Sequence, residues 1–125
     1  MNRSANPKEL VTSYIAALHE QRYEDAMVLL QDNVRIRGPA GETYGKPTQF
    51  VETLRKYRGK YDIKRMFADG EDVCVLYDLV IGQSAVYMSS WYQVRDGKIT
   101  SINTIFDPSA MGSPPGSNPT QRATR

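Results

Sequence analysis

The segment that most limits what this chain can fold into runs from Tyr61 to Asp107, where YDIKRMFADGEDVCVLYDLVIG is followed by QSAVYMSSWYQVRDGKITSINTIFD. β-Branched and aromatic residues alternate with polar ones in both runs, and Asp69-Gly70 and Asp96-Gly97 interrupt them. Such pairs adopt the positive φ angles that a tight hairpin turn requires. Each run therefore predicts a hairpin, and the four long strands together predict an antiparallel sheet.

Side chains alternate between the two faces of a strand. In VCVLYDLVI one face takes Val73, Val75, Tyr77, Leu79 and Ile81, and the other takes Cys74, Leu76, Asp78 and Val80. Both faces are largely apolar, which predicts helices against one and a second subunit against the other, with Asp78 facing outward. The next strand sets Val86, Met88, Ser90, Tyr92 and Val94 opposite Tyr87, Ser89, Trp91 and Gln93. In the last, Ile102, Thr104 and Phe106 alternate with Asn103, Ile105 and Asp107. Periodicity alone does not say which face is inward.

Helical signals precede the strands. Asn6, Pro7 and Glu9 supply a capping side chain, a proline at the first position and an acid in the first turn. Leu10, Val11, Tyr14, Ile15 and Leu18 then recur at helical spacing and predict one buried face. A second short helix is predicted over Tyr23–Leu30, then an extended stretch over Val34–Gly38 that alternates Val34 and Ile36 with Arg35 and Arg37. KPTQFVETLRKYRG predicts a third helix with Phe50, Leu54 and Tyr57 inward. Helices combined with an antiparallel sheet define an α+β class. Residues 1–108 are read as one domain, and 109–125 as a flexible tail rich in Pro, Gly and Ser.

A length of 125 residues fits a single domain, and 40% hydrophobic and 24% charged residues are ordinary for a globular protein. The formal charge of +2 argues against a nucleic-acid partner. Arg55, Lys56, Arg58, Lys60, Lys64 and Arg65 do cluster, but Asp62 interrupts them, as in a solvated helix end. The single cysteine, Cys74, has no internal disulfide partner, and no long apolar run opens the chain, so a reducing cytoplasm is expected. No stretch approaches the ~20 apolar residues of a membrane span. One histidine far from one cysteine makes no metal signature, and neither metal nor cofactor is expected.

From Leu10 to about Pro108 the sequence resembles the nuclear transport factor 2 superfamily, and within it the SnoaL-like and ketosteroid-isomerase-like proteins. YIAALHEQRYEDAMVLL, NVRIRGPAGETYGKP and WYQVRDGKITSINTIFDP carry the resemblance. It implies a cystatin-like cone: three N-terminal helices packed on a curved, mainly antiparallel sheet. It also chooses the inward face, placing Val73, Val75, Tyr77, Leu79, Ser90, Tyr92, Ile102, Thr104 and Phe106 inside.

Ketosteroid isomerases of this kind use a tyrosine on the first helix as oxyanion donor, an aspartate before a proline as base, and a second, protonated aspartate as donor; the neutral carboxylic acid of that enzyme is an established example of pKa tuning. By resemblance Tyr14 matches the tyrosine, whereas the aspartate positions fall on Gly38, before Pro39, and on Ser90. Limonene-epoxide-hydrolase-like relatives activate water with two aspartates and an arginine, whose positions fall near Tyr77, Leu79 and Thr104. None of these carries the needed charge.

A tyrosine hydroxyl in an apolar cavity is a strong donor to a developing oxyanion. Tyr14 is thus the candidate catalytic group, and Tyr14, Tyr77, Ser90, Tyr92, Ile102, Thr104 and Phe106 are the candidate ligand-binding set. Set against this, Tyr14 reads equally well as a core aromatic whose hydroxyl finds a backbone carbonyl or reaches the rim. His19 stands at a helix end facing solvent, and Asp107 by strand parity points outward, so neither supplies an evident base. Two function classes follow. One is an apolar pocket for a small hydrophobic, carbonyl-bearing molecule, within a homodimer formed through Leu76, Asp78, Tyr87 and Trp91. The alternative is a small isomerase, cyclase or lyase using Tyr14 with an unidentified base, or an accessory module that only dimerises. The residues leave open whether any reaction is catalysed.

Overall fold

The computed structural model describes residues 6–110. Helix α1 (Pro7–His19) begins where the sequence predicts: the Asn6 side-chain oxygen accepts a hydrogen bond from the Glu9 amide at 2.8 Å. Its apolar stripe is buried, with Ala17 added to the expected set. Helix α2 (Tyr23–Met27) is shorter than predicted. Leu29 and Leu30 leave the helix because the Leu29 carbonyl accepts from the Ile99 amide at 2.8 Å, which draws the chain into the sheet.

Strand β1 (Leu30–Gly38) is longer than expected, and β2 (Gly41–Gly45) is a sixth strand that the sequence reading missed. GETYG lies at a sheet edge with four exposed residues and one half-buried, so no hydrophobic alternation marked it. Helix α3 (Pro47–Tyr57) follows this hairpin, so the helices do not all precede the sheet. It ends at Arg58, whose φ of 50° is left-handed, and Gly59 then packs so closely that an added Cβ would lie 2.5 Å from Leu79 Cδ1.

Strands β3 (Lys60–Asp69), β4 (Asp72–Ile81), β5 (Ser84–Arg95) and β6 (Lys98–Ile105) complete a six-stranded mixed sheet ordered β2-β1-β6-β5-β4-β3. Every neighbouring pair is antiparallel except β1 and β6. Asp96 and Gly97, at φ 55° and 76°, form the expected tight turn. The β3–β4 turn is displaced by one residue to Gly70-Glu71, because Asp69 pairs with Asp72.

Irregular register lets two strands change which residues face inward. The shift between Ile63 and Arg65 puts both Tyr61 and Met66 opposite the buried side of β4, at Leu79 and Val75. A second shift lets Ile99 and Ile102 share the inner face. Extra residues of this kind bend the bulged strand and increase its twist.

Helix α1 packs on β3, β4 and β5, and α3 packs on α2 and β1. The core lies between these helices and the inner sheet face, whose Val73, Val75, Tyr77, Leu79, Val86 and Met88 are all buried. The opposite face keeps large apolar groups in solvent: Phe67 is 52%, Tyr87 62%, Trp91 45% and Ile105 75% exposed. Asp78 points outward as expected and meets Lys64 at 3.6 Å. Within the basic cluster Arg55 reaches Glu24 at 3.5 Å and Glu52 at 3.2 Å, and Lys64 reaches Asp62 at 2.9 Å. Of the predicted tail, Ser109 and Ala110 close a short 3-10 turn with Pro108, and residues 111–125 lie outside those described.

Candidate functional site: a phenol-lined cavity

A cavity of about 420 Å³ lies between helices α1 and α3 and the inner sheet face. All seven residues of the candidate binding set border it: Tyr14 from α1, Tyr77 from β4, Ser90 and Tyr92 from β5, and Ile102, Thr104 and Phe106 from β6 and its end. Gly38 and Pro39 lie at its edge.

Tyr14 occupies the middle of α1's buried stripe and is only 1% exposed. Its ring meets that of Tyr92 edge-on, with centroids 5.9 Å apart, an arrangement favoured by the aromatic quadrupole. Among the described residues its hydroxyl makes no hydrogen bond, so the backbone-carbonyl alternative is not what the geometry shows. The hydroxyls on the sheet are arranged differently. Tyr77 Oη stands 2.8 Å from Ser90 Oγ, which stands 2.9 Å from Thr104 Oγ1, so one hydroxyl chain crosses β4, β5 and β6. The register puts these groups together, since Ser90 is directly opposite both Val75 on β4 and Thr104 on β6.

Burial raises the pKa of Tyr14 and of Tyr92 well above that of a free phenol, and the neighbouring phenols Tyr61 and Tyr77 add to both shifts. Tyr61 and Tyr77 are raised too, chiefly by the same loss of solvation, with Ser90 partly opposing the shift at Tyr77. The phenols are therefore neutral donors at ordinary pH. Among the described residues that border the cavity there is no Asp, Glu or His, and Arg37 is the only charged one.

Other candidates lie elsewhere. His19 is exposed at the end of α1, where its Nδ1 accepts from the Tyr61 amide at 3.0 Å and braces the start of β3. Asp107 Oδ1 accepts from both the amide and the hydroxyl of Ser109, at 3.0 and 2.8 Å, and so holds the turn after β6. Arg35 faces outward to Gln93 and Glu42. No group of three or more His, Cys, Asp or Glu side chains capable of holding a metal ion occurs among the described residues.

Sequence reasoning missed Tyr61 as a cavity residue. Its ring lies 5.6 Å from that of Tyr77. Strict alternation along β3 could not place it, because the register shift reverses parity within the strand; the only available signal was its position directly after α3. Phe50, Leu54 and Tyr57 do border the cavity, from the inward stripe predicted for α3.

The chain superimposes on several solved structures. A nuclear transport factor 2-like protein of unknown function from Cytophaga hutchinsonii ATCC 33406 is similar with a TM-score of 0.82 and 29% identity, over 90% of this chain and 100% of that one. A candidate ketosteroid isomerase from Kribbella flavida DSM 17836 gives 0.74 at 20% identity, over 81% and 77% of the two chains. An LEH-like epoxide hydrolase of M. tuberculosis gives 0.68 at 23% identity, over 84% and 85%. The latter two likenesses speak for the fold alone. No curated protein matches the sequence. Residues 11–102, most of the described chain, match the family model of the SnoaL-like domain, and the protein belongs to that family.

Proposed function

We propose that this protein binds a small hydrophobic molecule bearing a carbonyl oxygen, in a cone whose open interior is the phenol-lined cavity. The observation that carries the reading is Tyr14: buried, with a hydroxyl unpartnered among the described residues, and bordering a cavity whose other walls are mostly apolar. A buried donor left unpaired is costly, and a ligand oxygen in the cavity would relieve that cost. The Tyr77–Ser90–Thr104 hydroxyl chain offers one further donor, since two of its three protons are engaged within the chain. Acid–base catalysis of the ketosteroid-isomerase kind finds less support, because Gly38 and Ser90 stand at the positions of its carboxylates and no bordering residue replaces them. A homodimer through the outer sheet face, in a reducing cytoplasm and without nucleic acid or membrane, completes the proposal; the exposed Tyr87 and Trp91 support the dimer.

Calorimetric titration with 2-acetonaphthone, a neutral aryl ketone, tests the reading. Saturable binding of one molecule per chain, weakened by Tyr14→Phe, is expected. Absence of saturable binding for this ketone and for a 3-ketosteroid would remove the ligand-binding assignment, and turnover of a β,γ-unsaturated ketosteroid by the wild-type protein would replace it with catalysis.

A further inference from the structure

The phenol-lined cavity shares part of its border with a second depression on the outer side of the sheet. Strands β1 and β6 pair in parallel as far as Arg37 and Asn103, and one residue later Gly38 pairs with Gly41 of β2 and with nothing on β6. At this point, where the β1–β6 pairing has ended, Gly38 carries no side chain. A Cβ placed there would have the Thr104 carbonyl oxygen, at 4.0 Å, as its one neighbour within that distance. The second depression measures about 450 Å³, and Arg37, Gly38, Pro39, Thr104 and Phe106 border both spaces. On its far side the depression is bounded by Trp91, Asn103 and Ile105, which belong to the outer sheet face.

Those outer walls are fixed. The Trp91 indole donates to Asp72 at 2.8 Å, and the Asn103 amide donates to the Trp91 carbonyl at 3.4 Å. Arg37 is exposed and is the only charged residue bordering either space. Its cross-strand neighbour Glu42 is turned to Arg35, at 3.9 Å, and among the described residues Arg37 forms no ion pair. Trp91 borders both this depression, on its β6 side, and the proposed dimer surface.

We propose that the two spaces form one bipartite site, and that the ligand is an oxo acid with three parts: a ring head carrying the ketone, a thin flexible chain and a terminal carboxylate. The head occupies the phenol-lined cavity, the chain crosses the sheet at Gly38, and the carboxylate meets the Arg37 guanidinium on the outer side. A guanidinium offers two parallel donors that match a carboxylate, and a gap left by one missing side chain passes a polymethylene chain where it would stop a ring. This inference rests on the ketone-binding reading above and adds the charge and shape of the ligand.

The probe is 5-(2-naphthyl)-5-oxopentanoate, compared with its methyl ester, which has nearly the same length and no charge. The readout is the ratio of the two dissociation constants by calorimetry. Wild-type protein should favour the acid by about fivefold, the upper range for a solvent-exposed ion pair, and the preference should shrink as sodium chloride is raised. Arg37→Gln should bring the ratio to about one, and Arg37→Lys should retain part of it. Gly38→Val should also abolish the preference, by closing the crossing. The single tryptophan gives one indole N–H resonance, which the acid should shift in wild type but not in Gly38→Val. Equal affinities in wild type, a preference unmoved by Arg37→Gln, or one that survives Gly38→Val would each overturn the proposal. If Gly38→Val does not fold, the Arg37 pair still decides it. Binding of 2-acetonaphthone without any acid preference would sink this inference and leave the cavity reading standing; no binding of either ketone or acid would sink both.

Discussion

Tyr14→Phe separates stability from binding. The substitution removes one oxygen and keeps the ring, so the edge-on contact with Tyr92, at 5.9 Å between centroids, is retained. In most cores such a loss costs about 1 kcal/mol through the hydrogen bond it breaks. Here the hydroxyl has no partner among the described residues and is 1% exposed, so the folded protein already bears the cost of burying an unpaired donor. That cost is about 1–3 kcal/mol in protein mutational data. The ligand-free variant should therefore be as stable as wild type or more so, by up to about 1 kcal/mol, which corresponds to a melting-temperature rise of about 4 °C in a domain of this size. Affinity for 2-acetonaphthone should move the other way. Losing one hydrogen bond of about 1 kcal/mol in a dry cavity lowers it about fivefold. Thermal denaturation with and without ketone, followed by circular dichroism, measures both. A ligand-free variant destabilised by more than about 1 kcal/mol would show that the hydroxyl is already satisfied, and the reasoning would fail at its first step.

The buried phenols also predict an alkaline limit. Because burial raises Tyr14 and Tyr92 in the folded state, their contribution is fully present below the ordinary phenol value of 10.0 and is lost above it, as the unfolded chain releases its protons first. Stability should fall by about 1.4 kcal/mol per pH unit for each such group, and urea denaturation that is flat from below pH 10 to well above it would contradict this. Trp91→Lys should convert the proposed dimer to monomer in sedimentation at micromolar concentration, since it places a charge amid Phe67, Tyr87 and Ile105; unchanged assembly would place the interface elsewhere. Gly38→Asp with Ser90→Asp should give weak isomerisation of a β,γ-unsaturated ketosteroid where the wild type gives none, provided the rings enter, because Gly38 has room for a side chain. Equal rates in the two proteins would show that the carboxylate positions are misassigned.

Some of this protein was written in local sequence. The Asn6-Pro7 start of α1, the apolar stripe around Tyr14, the Asp96-Gly97 turn and the alternation of β4 and β5 each follow from interactions a few residues apart or from a fixed side-chain period. Choosing the inward face, and hence naming Tyr77, Ser90 and Thr104, required the family resemblance, because Cys74, Leu76 and Val80 make the other face of β4 nearly as apolar. The elements that escaped prediction depend on distant partners. β2 exists because it pairs with β1 and has no hydrophobic period of its own, and α2 stops early because Ile99 takes up the Leu29 carbonyl. Tyr61 reaches the cavity through a register shift within β3, which reverses the parity that a sequence displays. Residue order thus determined which groups could be buried and where the chain could turn. Only the pairing of strands far apart in sequence decided that Tyr77, Ser90 and Thr104 form one chain of hydroxyls, and that Gly38 has room for a side chain beside Thr104, because inter-strand distances follow from sheet register and are not encoded in any single segment.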